Sequence, residues 1–214
     1  MRRIGIMGGT FNPIHNGHLA IAGKAREQFF LEKILFMPSG VPYTKDLREV
    51  LPVDIRCEMT ALAIADTPYF ELSMLEAEDA EQGKNTYTFE TLQKLRHADP
   101  TADYYFILGA DSLYAIENWK KPELIFENCT LLAAMRIDES PIALQRDISF
   151  AQEKLYQQVV YLREKYRASI EIVEFEGIDL SSTKIREKLR FGESVCGLVP
   201  KVVEDYILKH ECYR

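Results

Sequence analysis

The chain has 214 residues, 47% of them hydrophobic and 28% charged, with a formal charge of −7. Length and composition fit one globular domain spanning 1–214 with a sizeable core. The negative charge excludes a broad basic surface for nucleic acid, so any phosphate recognition has to be concentrated in particular loops and helix ends. No apolar run approaches the roughly 18 residues of a membrane helix. The start, Met1-Arg2-Arg3, lacks the apolar stretch and cleavage site of a signal peptide. Cys57, Cys129, Cys196 and Cys212 form no CxxC pair, so zinc ligation is not expected. Reduced thiols point to the cytoplasm.

In chain order, Arg3 to Met7 is a short apolar strand ended by Gly8-Gly9. Leu19, Ala22, Ala25, Arg26 and Phe29 then recur at helical spacing, from a start near Asn16 or Gly17. Ile34 to Met37 is a second strand, closed by Pro38-Ser39-Gly40, and Val53 to Ala65 is helical. Phe70 to Leu72 reads as a short strand, and Thr88 to His97 as a helix with Phe89, Leu92 and Leu95 on one side. Tyr104 to Leu108 is a strand that turns through Gly109-Ala110-Asp111 into a helix. Cys129 to Ala134 is a buried strand, Ser149 to Arg167 a long polar helix, and Ile170 to Phe175 the last strand. Ser182 to Arg190 and Pro200 to His210 are two closing helices. The alternation predicts an α/β fold, a Rossmann-like parallel sheet with helices on both faces and a C-terminal helical extension from residue 181. Ligands on such sheets bind outside the carboxyl ends of the strands, where the loops from Gly8, Pro38 and Gly109 begin.

The loop Gly8 to His18 is the richest in chemistry. Gly8 and Gly9 let the backbone turn and approach a ligand, with amide groups facing phosphate oxygens. Pro13 stiffens the turn, and Gly17 clears room beside a ligand. His15 and His18, two of the chain's four histidines, stand three apart and can face one anion at a helix N-terminus. A bland reading, a glycine turn with incidental histidines, competes with this one. Neither the dinucleotide fingerprint nor the P-loop pattern is present. Near the other end, Ser182 and Thr183 can cap a helix or meet phosphate, and Lys184 or Arg186 can neutralise it. A plain cap with a basic surface helix explains the same residues.

Gly9-Thr10-Phe11-Asn12-Pro13 followed by His15-Asn16-Gly17-His18 resembles the GTF(D/N)PxHxGH signature of the HxGH nucleotidyltransferase superfamily. Gly177 to Arg186, with Leu180-Ser181-Ser182-Thr183, is similar to the superfamily's second signature. Asn85 to Leu92 and Phe106 to Asp111, with Trp119 eight residues on, resemble segments of bacterial nicotinate mononucleotide adenylyltransferases. These matches run in family order from Gly8 to Arg186. One segment departs: Thr44, in Val41-Pro42-Tyr43-Thr44-Lys45, stands where the family commonly has a histidine.

The resemblance implies transfer of the adenylyl group of ATP to nicotinate mononucleotide, giving deamido-NAD and pyrophosphate. It assigns catalysis to His15, His18, Lys45 and Arg186. It assigns ATP binding to those four together with Gly8, Gly9, Thr10, Phe11, Gly109, Asp111, Ser182 and Thr183. The mononucleotide falls to Asn12, Thr86, Tyr87, Thr88, Asp111, Trp119 and Arg136. Asp111 can serve a ribose hydroxyl or the metal, or simply cap the next helix. A flat aromatic such as Trp119 suits a pyridine ring, although a core or rim tryptophan is the plainer account. Mg²⁺ is expected to travel with ATP, without a dedicated metal cage. No nucleic acid or membrane partner is expected, and a homo-oligomer is left open. Rival acceptors are nicotinamide mononucleotide and phosphopantetheine, and a rival class is a nucleotide-binding module without activity.

Overall fold

The computed structural model describes residues 2–42, 47–134, 144–175 and 180–213, and of 144–149 the backbone alone. Its elements are β1 (Arg2–Gly9), α1 (Asn16–Phe29), β2 (Lys33–Pro38), α2 (Val53–Ile64), β3 (Phe70–Leu72), α3 (Leu75–Glu81), α4 (Thr88–Ala98), β4 (Ala102–Gly109), α5 (Ala110–Ala115), α6 (Pro122–Asn128), β5 (Thr130–Ala134), α7 (Leu144–Tyr166), β6 (Ile170–Val173), α8 (Ser182–Arg190) and α9 (Lys201–Lys209). The six strands form one sheet in the order β3-β2-β1-β4-β5-β6. This is the Rossmann order, in which the direction of strand addition reverses beside β1.

The expected strands and helices are present, with ends displaced by a few residues. Two helices were not foreseen. The α3 segment, Leu-Glu-Ala-Glu-Asp-Ala-Glu, carries four acids and buries only Ala77, so it has no apolar period to read. The α6 segment opens on Pro122 and buries only Ile125 and Phe126, too short a pattern to separate from the strand after it. The long helix α7 begins at Leu144, ahead of the expected Ser149. No described helix is long and apolar enough to cross a membrane.

Two compact units divide the chain. The first comprises Met1–Met7, Ile21–Ile34 and Tyr87–Asp179. Within it β1, β4, β5 and β6 pair in parallel, with Ile6 opposite Phe106, Ile107 opposite Leu132 and Leu132 opposite Glu171. Ile4 to Met7 and Leu131 to Ala134 are buried without alternation, as strands covered on both faces must be. Gly5 lies against the side chains of Ile34, Leu31 and Ile107 and leaves no space for a Cβ.

The second unit comprises Gly8–Ala20, Leu35–Thr86 and Leu180–Arg214. Its interior is organised by a charge. Arg56 of α2 is 1% exposed. Its Nε donates to the Leu51 carbonyl at 2.9 Å, and its two terminal nitrogens donate to the carbonyls of Thr10 at 2.8 Å and Gly40 at 2.9 Å. Burial pushes the guanidinium below its usual range, yet carbonyl dipoles of three loops face it. Helix α9 packs on α2, where the Tyr206 hydroxyl donates to Glu58 at 2.5 Å and its pKa is pushed up to about 12 by that bond.

Replacement of Arg56 by Met should remove three charge-assisted bonds and strand buried carbonyls, costing about 3 kcal/mol or more in urea unfolding. A loss below about 1 kcal/mol would contradict that role. The thiols offer a second check. Cys57, Cys129 and Cys212 are buried and Cys196 is exposed. Burial raises all three interior thiols, Cys129 to about 12. A thiol reagent at neutral pH should therefore modify Cys196 rapidly and the others only on unfolding, as peptide mapping would show.

Candidate active site

The loop that follows β1 belongs to the second unit and is built largely from buried residues. Phe11, 1% exposed, has a positive φ of 48°. Its ring stands edge-on to His18 at 5.0 Å and tilted against Phe36 at 6.0 Å. A Cβ on Gly9 would come within 2.9 Å of the Phe11 ring, so Gly9 is needed there for space. Asn12, joined to Pro13 by a cis peptide bond, is 3% exposed. Its Nδ2 donates to the Glu49 carbonyl at 2.7 Å. Its Oδ1 accepts from the Leu51 amide at 3.2 Å and the Tyr213 hydroxyl at 3.0 Å. Asn12 thus turns its side chain inward, a scaffold rather than an outward-facing group.

His15 and His18 flank the start of α1. Their rings stack at 3.6 Å, with His15 buried and His18 half-buried. The His15 amide donates to His18 Nδ1 at 3.3 Å, so the neutral His18 ring carries its proton on Nε2, a donor suited to a phosphate oxygen. Gly17 was expected to clear room for a ligand. Instead a Cβ there would meet His15 Nδ1 at 3.1 Å, so the room is taken by the imidazole. The first turn of α1 carries no acidic side chain, and the Asn16 amide that opens it donates to the Leu198 carbonyl at 3.0 Å.

Helix α8 meets this loop through two side chains, Ser182 and Arg186. Its cap is Ser181, whose Oγ accepts from the Lys184 amide at 3.2 Å, and not Ser182 or Thr183 as expected. Freed from capping, the Ser182 hydroxyl donates to the Pro13 carbonyl at 2.9 Å, while Thr183 stays exposed. Arg186 donates to the Asn12 carbonyl at 3.1 Å and pairs with Glu49 at 3.5 Å. Glu49 is half-exposed, so that pair is weak and an incoming anion can compete for the guanidinium. Thr86 is buried, with its methyl next to Gly40.

The first unit holds the rest of the described candidates. Tyr87 precedes α4 in extended conformation, and its carbonyl accepts from the amides of Glu90 and Thr91, with Thr88 opening the helix. Lys120 lies 5.7 Å from the Tyr87 ring centroid. Gly109 ends β4 and is the N-cap of α5, so Asp111 is not the cap; it stands exposed in the first turn. Trp119 is half-buried, edge-on to Phe106 at 6.4 Å. Two residues earlier Glu117 accepts from Lys165 at 2.7 Å, Tyr166 at 2.9 Å and Tyr161 at 3.2 Å. The Lys165 bond holds that carboxylate below its usual range and ties the tryptophan's turn to α7.

Thr44, Lys45, Arg136 and Gly177 to Asp179 lie outside the described residues. Among the described residues no three His, Cys, Asp or Glu side chains are grouped to hold a metal. Sequence reading missed Arg56 and Tyr213. Arg56 stands between Asp54 and Glu58 in α2, so the local sequence reads like any charged helix surface, and Tyr213 gives no signal either.

Residues 6–188 match the sequence model of the cytidylyltransferase-like family. A Lachnoclostridium phytofermentans protein is 40% identical over 213 residues, spanning 100% of both chains. A Geotalea uraniireducens protein is 37% identical, covering 99% of this chain and 98% of its own. Both bear the name "probable nicotinate-nucleotide adenylyltransferase". The fold is that of the Plasmodium falciparum nicotinic acid mononucleotide adenylyltransferase, solved with NaAD, at a TM-score of 0.77 and 18% identity over 100% of this chain and 98% of that one. The same parasite protein complexed with APC gives 0.74. End-to-end similarity to relatives of that name, with a family model matched over residues 6–188, shows that the chain belongs to the nicotinate-nucleotide adenylyltransferases of the cytidylyltransferase-like family.

Proposed function

We propose that the protein joins ATP and nicotinate mononucleotide to give deamido-NAD and pyrophosphate, a step of NAD biosynthesis carried out in the cytoplasm. The observation that carries this is the stacked His15–His18 pair at the start of α1, whose first turn holds no acid, in a chain matched over its whole length by relatives of that name.

The mononucleotide phosphate attacks the α-phosphorus of ATP in line, and pyrophosphate leaves. Its oxygen is already ionised at neutral pH, so positioning and charge stabilisation remain as the enzyme's tasks. The backbone of Gly8 to Phe11 approaches the nucleotide. The His18 ring, with its proton on Nε2, donates to phosphate oxygens, and His15 supports it from beneath. Arg186 exchanges Glu49 for phosphate, and Ser182 and Thr183 bring α8 to the triphosphate with Lys45 as a further cation. Gly109 and Asp111 serve the ATP side, Asp111 also reaching the acceptor's ribose. ATP enters as its Mg²⁺ complex, the ion being held mainly by phosphates and water.

The acceptor is assigned to Thr86, Tyr87, Thr88, Trp119 and Arg136, with the half-buried indole stacking on the pyridine ring. Asn12 contributes by shaping the loop. A homo-oligomer is compatible with this scheme and unnecessary to it.

His18→Ala should lower turnover by at least about a hundredfold with the fold intact by circular dichroism; near-normal turnover would remove His18 from the mechanism. Trp119→Ala should raise KM for nicotinate mononucleotide more than KM for ATP, and the reverse order would move the indole to the ATP side. With nicotinate and nicotinamide mononucleotides assayed in parallel, pyrophosphate release should favour the nicotinate form.

A further inference from the structure

Asn12 stands between the glycine turn and the two histidines, and three of the side-chain bonds it can make are made inside the protein. Two of them come from the segment just before α2, through the Glu49 carbonyl and the Leu51 amide. The third comes from the far end of the chain, where the Tyr213 hydroxyl donates to Oδ1 at 3.0 Å. The donor direction is fixed, because an amide oxygen carries no hydrogen. Tyr213 adopts a positive φ of 70°, a conformation unfavourable for a bulky residue. Burial raises the phenol well above its usual range, so the hydroxyl keeps its proton and remains a donor. Beside this bond, Arg56 holds the Thr10 carbonyl, Arg186 the Asn12 carbonyl and Ser182 the Pro13 carbonyl. Among the described residues, the Tyr213 bond is the one that holds a side chain of the loop from beyond α9.

We propose that Tyr213 is a positioning residue, whose hydroxyl latches Asn12 and so fixes the loop that carries His15 and His18 for adenylyl transfer. The proposal rests on the function given above. A displacement of the order of an ångström in a loop that must meet a transferring phosphoryl group is costly to the chemical step and nearly neutral to ground-state binding. The latch should therefore be felt in kcat.

The test is Tyr213→Phe, which keeps the ring and removes the hydroxyl, with Tyr206→Phe as the matched control. Tyr206 donates to Glu58 in the same unit and lies outside the proposed machinery. Tyr213→Phe should lower kcat about tenfold, as expected for misplaced catalytic groups. Each KM should stay within about twofold. Its His15 and His18 imidazole NMR resonances should also move in the substrate-free protein. Tyr206→Phe should leave kcat and those resonances unchanged, whatever its melting temperature. In the double variant with Asn12→Ala, removal of the hydroxyl should cost little further, since its acceptor is gone. Wild-type kcat with unmoved imidazole resonances in Tyr213→Phe would overturn the proposal, as would an equal kcat loss in Tyr206→Phe. Should the wild-type protein fail to join the two nucleotides, the functional reading falls, while the imidazole resonances still show whether the latch holds the loop.

Discussion

The loop after β1 keeps its shape because donors from separated stretches of the chain hold its backbone and its asparagine. Arg56 takes the Thr10 carbonyl, Arg186 the Asn12 carbonyl, Ser182 the Pro13 carbonyl and Tyr213 the Asn12 amide oxygen. A glycine-rich turn left to itself would sample many conformations. Here the order is imposed by bonds that exist only when α2, α8 and the end of the chain are in place. The reactive loop is therefore as stable as the unit around it, which is what a site relying on preorganised donors requires.

That constraint also explains how charge is arranged in an acidic protein. The buried Arg56 brings a positive charge to the Thr10 carbonyl of the loop, and the first turn of α1 adds no acid beside the histidines. Arg186 is held at the loop by a backbone carbonyl and a weakly bound carboxylate, so it is positioned yet exchangeable. Cationic side chains are thus gathered at the loop of a chain whose net charge is negative, and their local placement matters to a triphosphate.

Much of the fold was readable because buried parallel strands leave unbroken apolar runs, as in Ile4 to Met7 and Leu131 to Ala134. What escaped lacked a period: α3 buries one alanine, and α6 spans two turns. At the site, glycines and histidines announced the loop, since few other structures need them at that spacing. Their detailed roles were less legible. Gly17 makes space for His15, Ser181 takes the cap expected of its neighbours, and Asn12 faces inward. Arg56 and Tyr213 act through tertiary bonds to residues 46 and 201 positions away, and local sequence carries no mark of such distant partners.

Labelled ATP tests most directly which bond the protein makes. The protein, given ATP radiolabelled at the α-phosphate together with nicotinate mononucleotide, should place the label in a dinucleotide and release unlabelled pyrophosphate. Label recovered in ADP, or retained in ATP with no dinucleotide formed, would contradict the account.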